Sequence, residues 1–182
     1  MNNIMIAIER LSDSEDAALL SIGAVMFNEK ELGNVFYQSI AMKDSYYYGD
    51  ISINKINWLL SLSKMQQAEY INKNLSLDLK LAIKKLNEFI CKNEVCEPIK
   101  IWAKTKQDIS VLRAAYSRID MQTAWRFDNE YSASEIIDCE LMNYDHRYNT
   151  LSKAVCMAKE ITKQNKSKKY FYKVINWIKK WN

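Results

Sequence analysis

The run Ile4 to Ile8 is apolar and ends on one carboxylate, Glu9. A polar, acidic turn follows, Ser12-Asp13-Ser14-Glu15-Asp16, and then a second apolar run around Ser21-Ile22-Gly23-Ala24-Val25-Met26-Phe27. A carboxylate carried into apolar surroundings must be paired, bind a cation or give up its charge, so Glu9 is the first residue whose position asks for chemistry. Zinc chemistry is poorly provided for. Cys91, Cys96, Cys139 and Cys156 lack paired C-x-x-C spacing and His146 is the single histidine, so the cysteines are expected to be buried and reduced. Gly23, Gly33 and Gly49 are the only glycines, which leaves no glycine-rich loop to cradle a phosphate.

A second concentration of chemistry lies at the far end. From Thr162 to Asn182 there are seven lysines and no acid, interleaved with Tyr170, Phe171, Tyr172, Trp177 and Trp181. Lysines of this density track a phosphate backbone, and the rings between them can stack on bases. The same segment places Phe171, Val174, Ile175 and Ile178 at helical spacing. Two uses stay open: a helix 163–182 that only docks on the core, or the same helix with a basic outer face that meets a polyanion.

The elements that must position Glu9 follow from periodicity. Strands are expected over about Asn2 to Glu9, Ala18 to Asn28 and Asn34 to Ala41, with short loops that imply hairpins. Tyr46 to Tyr48, beside Gly49 and Asp50, read as a polar-aromatic loop and a contact surface. Ile53 to Asn93 is mostly helical, with Ser76 capping its last helix. Pro98 opens a short strand, "PIKIWAK", and "QDISVLRAAYSRI" is a helix; "SASEIIDCELM" and about Thr150 to Thr162 are helices as well. Trp58 and Trp102 are expected to pack in the core. Early hairpin strands followed by alternating strands and helices give an α/β fold, a mixed sheet covered by helices.

The length of 182 residues suits a single domain, and no apolar run approaches the roughly 20 residues that span a bilayer. No leader pattern is visible at the N-terminus, so a soluble, cytoplasmic protein is expected. The oligomeric state is left open.

In this order the motifs resemble the DnaQ-like, DEDD-type 3′-to-5′ exonucleases of the ribonuclease H fold, and among them the exodeoxyribonuclease VIII-like branch. "IAIER" stands where that branch has a strand with Asp-x-Glu, and "SIGAVMF" and "NVFYQSI" stand where it has its next two strands. "SINKINWLLSLSKMQQAEY" is similar to its tryptophan segment, with Trp58 kept and Leu59 in place of a second Trp. "IWAKTKQDISVLRAAY" keeps Trp102, Asp108 and Leu112 of a further stretch, and "YNTLSKAVCMA" lines up with the last one. The resemblance covers most of Ile4 to Ile161 and implies a ribonuclease H-like mixed sheet.

It also implies a site, and the departures fall on that site. Catalysis in this family rests on carboxylates that hold a pair of divalent metals and a histidine that acts as general base. Its first Asp falls on Ala7, its Glu on Glu9, its second Asp on Asp108, its histidine on Tyr148 and its last Asp on Lys153. The Lys153 ammonium would repel Mg²⁺ and can pair with Glu9 and Asp108 in place of the missing cations. Tyr148 is a poor base near neutral pH. An Asp restored at position 7 would leave Lys153 and Tyr148 in place. His146, two residues before the family's histidine, either swings in with Asp145 or sits in the polar turn "NYDHRYN". Arg10 stands where the family has a small hydroxyl residue near the scissile phosphate; it either grips a phosphate or pairs with an acid.

The resemblance with its departures therefore implies a catalytically degenerate 3′-5′ exonuclease-like protein that binds nucleic acid, single-stranded DNA or RNA. Its expected contacts are Arg10, Trp58, Lys104, Lys166, Lys168 and Lys169, with Trp58 stacking on a terminal base if it is not wholly in the core. No cofactor is expected. Two alternatives stand beside it. One is a protein-binding inhibitor or regulator of a host nuclease or defence complex, encoded by a phage or mobile element. The other is an active 3′-5′ exonuclease with a rearranged site that holds Mg²⁺ or Mn²⁺ on Glu9 and Asp108.

Overall fold

The computed structural model of the chain describes residues 1–71, 76–93, 98–138 and 149–178, the side chains of 69, 71 and 165–178 excepted. Among the described residues, β1 (Asn3–Arg10), β2 (Leu19–Phe27), β3 (Leu32–Ser39), β4 (Lys100–Ala103) and β5 (Glu130–Ser132) form one sheet in the order β3-β2-β1-β4-β5. β1, β2 and β3 pair antiparallel, while β4 runs parallel to β1 and β5 parallel to β4. This is the ribonuclease H-like mixed sheet, in an α/β fold. The helices are α1 (Met42–Tyr48), α2 (Ile53–Ser61), α3 (Lys64–Ile71), α4 (Leu79–Asn93), α5 (Lys106–Arg118) and α6 (Thr150–Ile178).

Side-chain alternation on the central strands explains the layers. Ile4 and Ile6 of β1, with Ile22, Ala24 and Met26 of β2, join a core with Ile83, Leu86 and Ile90 of α4 and Val111, Leu112 and Ala115 of α5. Met5 and Ala7 of β1, with Val25 and Phe27 of β2, face the other way and pack on Ala154, Met157, Ala158 and Ile161 of α6. These four are spaced by three and four residues, one stripe of a helix. β2 is buried along its whole length because both of its faces are covered. A third cluster, Leu11, Ala18, Leu20, Leu59 and Tyr70, lies under α2 and α3. Within the main core, Tyr116 donates its hydroxyl to Asn87 Oδ1 at 2.6 Å, and burial pushes its phenol far above the usual range, so it stays neutral.

α6 lies unusually close to the sheet. A Cβ placed on Gly23 of β2 would come within 2.4 Å of Leu151 N and 2.5 Å of Leu151 Cα, backbone that cannot yield. Its register partner on β1 is Ala7, the next smallest side chain. Beside this contact the Ser21 and Thr150 hydroxyls share a hydrogen bond, and farther along Thr162 Oγ1 donates to Asn28 O at 3.1 Å. From Thr150 to Thr162 a helix rises about 18 Å, and from Ser21 to Asn28 a strand advances about 23 Å. The two elements therefore run side by side.

Several expectations need correction. Tyr46 to Tyr48 are not a loop but the last turn of α1, tied down where Ser45 Oγ donates to Leu19 O. Ser76 does not cap the last helix of the 53–93 region. Asp78 Oδ1 accepts from Leu81 N at 2.8 Å, while Ser76 shares a hydrogen bond with Ser39. "SASEIIDCELM" is not an α-helix as far as it is described: Ser132 ends β5, Ala133–Glu135 form a 3₁₀ turn, and residues from 139 lie outside the described part. The helix expected to end near Thr162 runs on to Ile178. Cys91 is exposed, and Cys91 and Cys156 are free; Cys96 and Cys139 lie outside the described residues. Trp58 and Trp102 are half-buried, packed against core clusters without entering them. Among the described residues no helix is long and apolar enough to cross a membrane.

Gly23→Ala is expected to destabilise the protein by about 1–3 kcal/mol through overpacking against the α6 backbone. Urea unfolding reads this as a lower midpoint. Gly33→Ala is the control, since a Cβ there meets first the flexible end of Met1, and it is expected to lose much less.

Candidate functional site

The alternation that puts Met5 and Ala7 under α6 also sends Glu9 to that face, at the far end of β1, opposite Ser21 of β2. α6 begins beside it. Asn149 caps the helix, its Oδ1 accepting from Ser152 N at 2.9 Å and its carbonyl from Lys153 N at 3.1 Å. Lys153 follows Thr150, which is bonded to Ser21, by less than one turn. Its ammonium is thereby aimed at the sheet and forms an ion pair and hydrogen bond with Glu9 Oε2. The Glu9 side chain is only 11% exposed and that of Lys153 28%, so the pair is largely screened from water.

The register between β1 and β2 shifts between Glu9 and Arg10. This irregularity lets consecutive charged residues leave the strand toward different helices. Arg10 Nη2 approaches Asp108 Oδ1 of α5 at 3.9 Å, the outer limit of an ion pair. Asp108 is otherwise occupied. Its Oδ2 accepts from Thr105 N at 3.2 Å and from Thr105 Oγ1 at 3.0 Å, while Asp108 N donates back to Thr105 Oγ1 at 3.2 Å. This is a complete capping box at the start of α5. Arg10 Nη1 is buried and has no hydrogen-bond partner.

Of the residues singled out by sequence, the structure brings Glu9 to Lys153 and Arg10 to Asp108, with Ala7 buried beside them on β1. Among the described residues no group of three or more His, Cys, Asp or Glu converges as metal ligands. Trp58 packs on Tyr70 at 6.0 Å under α2 and α3. Trp102 stacks on Tyr131 at 4.8 Å and donates its Nε1 to Asn3 Oδ1 at 3.0 Å, toward the opposite end of β1 from Glu9. Lys104 is exposed between β4 and α5. Tyr148, His146 and Asp145 lie outside the described residues, as do the side chains of Lys166, Lys168 and Lys169, whose backbone belongs to α6. A cavity of about 570 Å³ near the start of α1 is lined by Ala41, Met42, Lys43, Asp44, Tyr70, Ser76 and Asp78, and by none of the four charged residues Glu9, Arg10, Asp108 and Lys153.

Sequence reasoning missed three supports of the site: the Thr105 capping box, the Ser21–Thr150 bond and the close approach over Gly23. The first was legible as Thr-x-x-Asp ahead of an apolar periodic run. The other two join residues more than a hundred positions apart and leave no local signal.

Residues 2–164 match the family model described as the 3′-5′ exoribonuclease Rv2179c-like domain. The match takes in all five strands, the four charged residues and the start of α6, and it stops short of most of the basic segment. Among curated proteins none matches the chain.

Lys153→Met leaves Glu9 shut away without its cation and is expected to cost about 1–3 kcal/mol, less than a fully buried pair because both groups keep some exposure. Adding Glu9→Gln removes the orphaned charge, so the double variant is expected to be more stable than Lys153→Met alone. A double-mutant cycle by chemical denaturation measures the coupling; simple additivity would mean that the pair is not formed in solution.

Proposed function

Because the chain belongs to the family of Rv2179c-like 3′-5′ exoribonuclease domains, we propose that it is a catalytically degenerate member that grips nucleic acid without hydrolysing it. In this reading it is related to the DnaQ-like, DEDD-type enzymes through their exodeoxyribonuclease VIII-like branch. Ala7 and Lys153 stand at two carboxylate positions, and Tyr148 stands at that of the general base.

The observation that carries the reading is the Lys153–Glu9 ion pair. Divalent metals at such a site polarise the phosphodiester and supply a hydroxide near neutral pH. The donors here do not suit them. Glu9 is engaged by an ammonium, one oxygen of Asp108 is engaged by Thr105 while the other faces a guanidinium, and Ala7 offers no donor. A metal would have to displace two internal cations from two carboxylates, with no third acid from Ala7 to offset the loss. No catalytic step is therefore assigned to a metal. What remains is a group of four charges about the end of β1 and the first turns of α5 and α6, Glu9, Asp108, Arg10 and Lys153, which sum to zero in a chain of net charge +4. Such a group does not repel a phosphate backbone even without Mg²⁺. Exposed Lys104, ahead of α5, adds to the attraction, and the density of lysines in the sequence beyond the matched region supports the same reading.

A second reading, a protein-binding inhibitor or regulator, draws on a different observation. Tyr46, Tyr47, Ile53, Leu60 and Met65 are each at least 65% exposed, and all lie on α1, α2 and α3. Apolar residues gathered on neighbouring elements suit a protein contact.

The deciding experiment is a time course with 3′-labelled single-stranded RNA and its DNA counterpart, in Mg²⁺ and in Mn²⁺, with binding read from the same samples. The expected result is binding without shortening of the strand, unaffected by EDTA, with log affinity falling by about 0.7 per neutralised phosphate for each unit of log salt. Turnover that disappears in Glu9→Gln would overturn the degenerate reading in favour of a rearranged active site. Neither binding nor turnover would favour the protein-partner reading.

A further inference from the structure

We infer that Arg10 is a phosphate-binding residue that engages the oxyanion directly, with no metal between them. The inference rests on the nucleic-acid reading for the identity of its ligand and on the geometry of Arg10 for everything else. Among the described residues Arg10 Nη1 is the one buried side-chain nitrogen or oxygen that lacks a hydrogen-bond partner. Buried polar groups are almost always paired, and a guanidinium N–H left idle away from water weakens the folded state unless something claims it.

A purely structural role would require a firm bond to Asp108, and the geometry gives none. The contact is 3.9 Å, beyond hydrogen-bond distance. Asp108 is held by Thr105 through a different oxygen and completes the α5 cap without help from Arg10. The guanidinium therefore has one nitrogen in a loose ion pair and its neighbour in no bond at all. A planar fork in that state is matched to the two oxygens of a phosphate, which takes parallel N–H donors from one guanidinium. Binding would require the fork to turn from Asp108, giving up only the 3.9 Å contact, so that Nη1 leaves its shielded position. The turn that follows Arg10 in sequence is tied to α5 and α2. Asp13 is held there by Gln107 Nε2, which donates to its carbonyl at 3.0 Å, and by Lys55 at 3.4 Å from its carboxylate. Lys153, whose charge is paired with Glu9, is the poorer candidate of the two cations.

The ligand class is a phosphate oxyanion. It comes either from the backbone of a bound strand or from free phosphate, and two titrations separate the sources. The full chain and its Arg10→Met and Arg10→Lys variants are titrated with a fluorescent single-stranded RNA at several salt concentrations, and separately with inorganic phosphate followed by isothermal calorimetry. Melting temperatures are recorded for each variant. Arg10→Met is expected to weaken RNA binding at least tenfold, to lower the salt slope by about 1, and to melt no lower than the parent because the idle polar group is gone. Arg10→Lys, which keeps the charge and loses the fork, is expected to fall between the two.

RNA bound equally by parent and Arg10→Met would overturn the inference and leave the nucleic-acid reading intact. Arg10→Met that melts several degrees lower or fails to fold would overturn it too, by making Arg10 structural. Parent protein that ignores RNA but takes up inorganic phosphate in an Arg10-dependent way would keep the inference and remove the nucleic-acid reading. A parent that binds neither would remove both.

Discussion

The close seat of α6 on β2 governs the rest of the site. Helix and strand backbones can approach this far only because Gly23 has no side chain and its partner Ala7 has almost none. Once the helix is down, the stripe Ala154, Met157, Ala158 and Ile161 fills the space above Met5, Val25 and Phe27, and burial of that surface holds it there. The Ser21–Thr150 bond then fixes where along β2 the helix starts. With the start fixed, Lys153 has no choice of face. A packing constraint thus decides which cation meets Glu9, although the two lie 144 positions apart in sequence.

That constraint has an electrostatic consequence. A cluster of carboxylates waiting for metals is self-repulsive and also repels phosphate until the metals arrive. Here each acid has its own counter-ion from a different direction, Lys153 from α6 and Arg10 from the end of β1. Pairs of this kind, partly out of water, add little net stability because desolvation offsets attraction. What they supply is a defined arrangement in which each acid is matched by a cation of the protein itself. Under the proposed reading, this replaces what metals supply in an active relative, and it explains how a fold can lose catalytic acids and stay intact.

Much of this was legible in the sequence, for reasons that differ by residue. β1, β2 and β3 were read from short, branched apolar runs, and the burial of Glu9 followed from its place at the end of one. α5 was read from its periodicity. α1 was missed because a seven-residue, tyrosine-rich helix with no capping side chain has no local signal; Ser45, bonded to the β2 backbone, holds it from outside. β5 was missed because three residues next to 3₁₀ turns become a strand only by pairing with β4. Asp78, two residues beyond Ser76, is an equally good cap by type, and only the structure separates them. The Lys153–Glu9 contact is implied by the family resemblance alone, and nothing in the local pattern around either residue points to it.

The two cations are not equivalent, and under the proposed reading their difference gives the site a direction. An ammonium is a compact point charge, and that of Lys153 is already spent on a carboxylate held within the sheet. An anion that approached from the α6 side would have to compete with Glu9 and leave that acid buried and alone. The guanidinium of Arg10 carries five N–H donors; one of its nitrogens lies 3.9 Å from a carboxylate oxygen and another is buried with no hydrogen-bond partner. An anion arriving from the α5 side displaces only a contact that Asp108 does not need, because Thr105 already holds it. Neutrality of the four charges therefore coexists with an uneven distribution of unsatisfied donors, and under the proposed reading the uneven part, at the junction of β1 and α5, is where an oxyanion would gain most.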